Sequence, residues 1–298
     1  MKLGELGEDR LLAQLLPRLR TKNRRVLAAA GDDCAVVELP GRNQLLLLKT
    51  DCVVEDVHFL RGERASAVGW KAMMRPASDF AAMSGVPQFA LITLIAPSTT
   101  AVSWVKNLYH GLNRAAGRCA IDIVGGETSR TKGPVSISVS LAGFVEKNRW
   151  VSRSGGKAND DLFVTGRLGG SLRGHHLRFM PRLAESRWLT QNFPVSAMID
   201  LSDGLGADLP RLAAASKRGA LFDESLVPRN RGCTIRQAIS DGEDYELLFA
   251  ISPLKRQQLE RAWAKKFPKL LLTRIGQLTR NPQMTLELHG YIHFKQPR

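Results

Sequence analysis

The sequence predicts an α/β or α+β chain folded as two domains, and three observations lead there. Its 298 residues suffice for two ordinary domains. Apolar runs of strand character alternate with stretches of helical periodicity in both halves. Between the halves, near 146–157, the chain turns polar and glycine-rich (EKNRWVSRSGGK), which divides it into domains over 1–148 and 149–298.

The elements follow in order. Residues 8–20 have helical spacing, with Leu11, Leu12, Leu15, Leu16 and Leu19 on one side. GDDCAVVEL (31–39) leads through Pro40 and Gly41 into the strand LLLLKTDCVV (45–54). A helical pattern over 66–83 is interrupted by Pro76, whose missing amide predicts a kink. FALITLIAP (89–97) reads as a buried strand and is too short to span a bilayer. A helix over 100–116 is followed by IDIVGGETSR (121–130), a strand expected to break at its two glycines. VSISVSLAGFV (135–145) alternates apolar with small polar residues, as a strand with one buried face does. In the second half, DLFVTG (161–166), MIDLSDGL (198–205) and YELLFAI (245–251) are strands separated by a glycine-rich turn and a helix.

Composition narrows the function classes. A 44% hydrophobic and 24% charged content is that of a globular protein with a sizeable core. The net charge of +15 allows a nucleic acid, an anionic surface or anionic small substrates as partners. The densest basic run, PRLRTKNRR (17–25), lacks interleaved aromatics and reads as a solvated helix end, so neither nucleic acid nor membrane is expected. Glu5, Glu8 and Asp9 make the first twenty residues unlike a signal peptide. Cys34, Cys52, Cys119 and Cys233 form no CxxC pair, which suits reduced thiols in the cytoplasm.

Carboxylates recur at predicted strand ends: Asp32 and Asp33, Asp51, Glu127, Asp200 and Asp203, and the run Asp241 to Glu246, with Asp79 on a helix. Singly, Asp33 would serve in a turn and Asp203 as a helix cap. Jointly, oxygen-only donors in so basic a chain point to magnesium rather than zinc. VTGRLGGSLRG (164–174) follows a strand, and its amides could hold phosphate oxygens at the start of a helix. Gly125 and Gly126 allow close backbone approach beside Glu127, and Arg153 could neutralise a phosphate.

GDDCAVV, TDCVVEDVHF, SDFAAMSGVP, IVGGETSR, SRSGG, IDLSDGLGADL and DGEDYELLF occur in this order, down to GYIHF near the C-terminus. The series resembles the thiamine-monophosphate kinases, in the superfamily of aminoimidazole ribonucleotide synthetase and selenophosphate synthetase. The resemblance implies the two-domain synthetase-like fold, a homodimer joined through N-terminal sheets, and ATP, magnesium and thiamine monophosphate as ligands. It implies metal positions at Asp33, Thr50, Asp51, Asp79, Asp200 and Asp203, with Glu127 in place of the usual aspartate. Gly125, Gly126, Glu127, Arg153 and Ser202 fall at the nucleotide, and His58, Glu243 and Tyr291 at the thiamine substrate. Asp51, Asp203 and Arg153 are the residues expected to act in catalysis. Lys49, Pro76, Glu127 and Asp241 depart from the usual pattern, and Lys49 shares a strand face with Asp51. Those departures keep open an alternative: a diverged relative that binds ATP or another phosphate with a different acceptor, or none. A basic module binding nucleic acid is the third possibility, resting on charge alone.

Overall fold

The computed structural model describes residues 2–284, 290 and 291. Two short helices, α1 (Leu3–Leu6) and α2 (Glu8–Leu15), precede the first sheet. The expected long helix over 8–20 stops early, giving way at Pro17 to a 3-10 turn over Leu16–Arg18. Strands β1 (Val26–Ala28), β2 (Ala35–Glu38), β3 (Gln44–Val54), β4 (Val86–Ala96), β5 (Asp122–Arg130) and β6 (Ser136–Glu146) form a six-stranded sheet. Their order is β1-β2-β3-β6-β4-β5, antiparallel except for the parallel β4–β5 pair.

Helices α3 (Ala65–Ala82) and α4 (Val102–Arg118) cover one face of this sheet. Val68, Met73, Phe80, Leu108 and Leu112 from the helices pack with Leu45, Leu47, Ile92 and Val139 from the strands. The helices approach closely because glycines stand at their crossing. A Cβ on Gly69 would lie 2.1 Å from the Leu108 carbonyl oxygen, and one on Gly111 would lie 2.0 Å from that of Ser66. α3 runs through Pro76 as one continuous helix. β5 likewise continues through Gly125 and Gly126, with a register shift that leaves Val124 without a direct partner on β4. At Gly126 a Cβ would meet the Ile92 carbonyl oxygen at 1.8 Å, so this glycine admits the neighbouring strand rather than ending its own.

The second sheet contains β7 (Asp161–Thr165), β8 (Val195–Asp200), β9 (Gly219–Phe222), β10 (Leu247–Ile251) and β11 (Leu272–Thr279) in the order β8-β10-β7-β11-β9. Every pairing is antiparallel. Helices α5 (Leu183–Asn192), α6 (Leu205–Ala215), α7 (Ile235–Ser240) and α8 (Arg256–Lys266) complete this half. Leu162, Val164, Leu248 and Ala250 face Leu205, Leu209 and Leu212 of α6. The alternate residues Phe163, Phe249 and Ile251 face Leu189 of α5 and Leu259 and Trp263 of α8. Ala81 and Ala82 at the end of α3 join this second group, so the first half's long helix is anchored in the other half's core. The four cysteines are unpaired. No helix among the described residues is long and apolar enough to cross a membrane.

Candidate active site

The junction of the two halves gathers carboxylates from four separate segments. Asp33 lies in the turn before β2, Asp51 on β3, Asp79 on α3, and Asp200 at the end of β8. Asp33, Asp79 and Asp200 are all buried, and each offers an oxygen within 4.8 Å of the others. Ser78 Oγ donates to Asp200 Oδ2 at 2.6 Å, tying α3 to the second sheet. Burial, reinforced by Asp33, pushes the Asp200 carboxyl up to about 7. Burial also raises Asp79 well above the ordinary aspartate value, with Asp51, Asp200 and Asp33 adding to the effect.

Two cations are set directly into this cluster. Arg153 Nη2 donates to Asp33 Oδ1 at 2.5 Å, while the Arg153 amide donates to Asp32. Lys49 Nζ lies 2.7 Å from Asp79 Oδ1 and 3.9 Å from Asp51 Oδ1. Burial pulls the Lys49 ammonium down, but Asp79 and Asp51 outweigh it and hold its pKa above that of an ordinary lysine. The second oxygen of Asp33, Oδ2, is buried without a hydrogen-bond partner. An orphaned carboxylate oxygen beside two further carboxylates suits a hard cation such as magnesium, which takes oxygen ligands.

Strand alternation separates two further metal candidates, Thr50 and Glu127, from this cluster within one chain. Lys49 and Asp51 share the helix-covered face of β3 with Leu45, Leu47 and Val53, whereas Thr50 points to the other face. There the Thr50 hydroxyl meets those of Ser138 and Ser140. Asp51, Val139, Ile92 and Gly126 lie in register across β3, β6, β4 and β5. Three strand spacings therefore put Gly126 about 14 Å from Asp51. Gly125 and Glu127 lie on the outer face with Thr50, at the exposed far edge of the sheet.

The loop after β8 continues the site. Asp203 Oδ2 accepts from Arg211 Nη1 at 2.5 Å, and the Asp203 amide donates to the buried Asp208. The Ser202 carbonyl accepts from the Glu243 amide at 2.7 Å. Glu243 in turn pairs with Lys71, whose buried ammonium also donates to the His58 carbonyl at 2.5 Å. His58 and Glu243 are thus joined through one lysine. Tyr291 donates its amide to the Asp203 carbonyl, which brings it to the same side; Ile292, His293 and Phe294 of GYIHF lie outside the described residues.

The glycine-rich turn after β7 does different work from that expected. Gly169 N–H donates to both oxygens of Asp244, Gly170 N–H donates to Asp241 at 2.9 Å, and Ser171 Oγ donates to Asp244 at 2.5 Å. It opens 3-10 turns over Ser171–Arg173 and His175–Leu177 instead of an α-helix. The anions it holds are the protein's own carboxylates. Asp241, a departure at sequence level, is therefore a structural acceptor.

Lys71 and Arg75 were not singled out from the sequence. With Asp79 they stand at four-residue spacing along α3, a charged row on a helix whose other faces are buried. Arg75 donates to the Cys52 carbonyl at 2.9 Å. The charge recurring every four residues on so apolar a helix was the signal available.

Comparison with known proteins defines the family. The model for AIR synthase related proteins, N-terminal domain, matches residues 31–145, and that for the C-terminal domain matches 144–289. The thiamine-monophosphate kinase of Rhodopirellula baltica is 37% identical over 289 residues, covering 91% of this chain and 89% of the relative. This chain belongs to the thiamine-monophosphate kinases. The Escherichia coli K12 kinase is 31% identical, with 98% of this chain and 99% of the relative covered. The solved structure of AaThiL complexed with AMPPCP and TMP superposes with a TM-score of 0.84 at 32% identity, covering 98% and 99% of the two chains. Within this kinase family, the carboxylate junction of Asp33, Asp51, Asp79 and Asp200 is the candidate phosphoryl-transfer site.

Proposed function

We propose that the protein transfers the terminal phosphoryl group of ATP to thiamine monophosphate, forming thiamine diphosphate. The observation that carries this reading is the meeting of Asp33, Asp51, Asp79 and Asp200 with Lys49 and Arg153 where the two halves join. Asp33, Asp79 and Asp200 would hold magnesium, which when bound neutralises phosphate charge. The acceptor is itself a phosphate with a second pKa of about 6, so no side chain needs to remove a proton from it. What the chain must do is bring two polyanions together, position them in line and offset their repulsion. Arg153 suits this role because its guanidinium is fixed on Asp33 with its Nε still without a partner. His58, Glu243 and Tyr291 would border the thiamine side, with Lys71 fixing the first two in place. Four unpaired cysteines accord with work in the cytoplasm.

The same reading includes a homodimer. Leu48, Phe89, Leu91 and Val124 stand 41–58% exposed on the outer face of the first sheet, an apolar surface that a second copy would cover. Thr50 and Glu127 share that face, so a second copy would change the surroundings of both.

The test is to incubate purified protein with ATP, magnesium and thiamine monophosphate and to measure thiamine diphosphate by chromatography. Product formed in proportion to enzyme is expected. Absence of product while ATP still binds would overturn the assignment of the acceptor.

A further inference from the structure

The carboxylates at the junction form two unequal groups. Asp33, Asp79 and Asp200 converge within 4.8 Å, and Asp33 Oδ2 there lacks any partner. Asp51 is not a member of that group, and the ammonium of Lys49 links it to Asp79, lying 2.7 Å from Asp79 and 3.9 Å from Asp51. Strand geometry fixes this arrangement. Lys49 and Asp51 are two residues apart on β3 and lie on one face, opposite the α3 helix that carries Asp79. Leu45 and Leu47 on the same face are fully buried, so the lysine stem continues an apolar row and its head emerges among carboxylates.

An ion bridging Asp51 and Asp79 would need oxygens at about 2.1 Å for magnesium, in the space the ammonium holds. The two cations would also repel each other at such a distance. We propose that Lys49 is a built-in cation that stands in for a divalent ion between Asp51 and Asp79. The chain then takes one divalent ion fewer than its carboxylates alone would hold. The Asp33–Asp79–Asp200 group is left as the place where a divalent ion binds. This rests on the kinase reading, which supplies the ligands. A permanent charge on a covalent tether is present before any ligand arrives and is not lost to dilution.

The test counts ions instead of turnover. Mn2+ is titrated into the protein with AMPPCP, and free ion is read by electron paramagnetic resonance, for the native chain and for Lys49→Thr. One additional Mn2+ per chain in the variant is expected. Equal counts in the two proteins overturn the assignment of Lys49 while leaving the kinase reading intact. Absence of bound Mn2+ from both removes the kinase site and the assignment together. A second measurement uses only the native protein, in case the variant does not fold. Lysine-selective labelling, read peptide by peptide with and without Mn2+, should leave Lys49 unlabelled in both states. Labelling of Lys49 once Mn2+ is added would show that the metal displaces it, and the proposal fails.

Discussion

Lys71 and Glu243 meet across the junction of the two halves, the ammonium fully buried on α3 and the carboxylate held in the loop before β10. Glu243 adopts the left-handed backbone conformation, with φ 58°, to reach it. Breaking such a pair leaves a charge without its partner. Lys71→Met should lower stability by about 3 kcal/mol in urea denaturation. Adding Glu243→Gln should recover part of the loss, and a K71M protein as stable as its parent would show that the pair contributes nothing.

Asp51 is partly exposed and makes its ion pair at the longer of the two Lys49 distances, so its removal should spare the fold. Asp51→Asn is expected to reduce turnover at least ~100-fold, the scale of losing one electrostatic group at a transition state. The melting temperature should change by no more than a few degrees. A near-normal rate would separate this carboxylate from phosphoryl transfer.

Asp244 should give the protein a distinct pH signature. Burial pushes its carboxyl up to about 7, against the Ser171 hydroxyl and the Gly169 amide, which favour the charged form. The folded protein thus holds this proton more tightly than the unfolded chain, whose aspartate titrates near ~3.9. The contribution to stability is full below that value and is lost as pH rises through 7. Asp244→Asn removes the titration. Its stability relative to the parent should therefore improve as pH rises from about 4 to 7, by at most about 1.4 kcal/mol per unit, and level off above that. Denaturant midpoints across that range measure it, and a constant difference would refute the shift.

The strands were legible because their apolar runs are long, but their direction was not. LLFAI and DLFVT have every residue buried, since helices cover both faces of the second sheet. Such continuous runs suggest parallel strands, whereas these pair antiparallel. Period-two alternation placed Lys49 with Asp51 correctly. The same rule applied to Thr50 and Glu127 would have put them on the opposite face. The glycine-rich turn after β7 misled because amides that suit a phosphate equally suit Asp244, and only tertiary structure shows which anion arrives.

The outer face of the first sheet offers a direct probe of assembly. Leu91 is half exposed in the middle of the apolar surface, so a charge there costs the single chain little. Leu91→Glu should convert a dimer into a monomer by light scattering, with circular dichroism unchanged. A variant that still forms dimers would mean that copies associate elsewhere.

α3 begins against one sheet and ends, at Ala81 and Ala82, inside the core of the other. Its Ser78, three residues before Ala81, is hydrogen-bonded to Asp200. The two halves are therefore poor units for exchange between relatives. A hybrid gene joined near residue 150 would import a foreign lining for the last turn of α3. It would also import a loop selected to face a different residue than Lys71. Inheritance at this site should run by the whole chain, with changes on α3 and in the DGEDYE loop arising together.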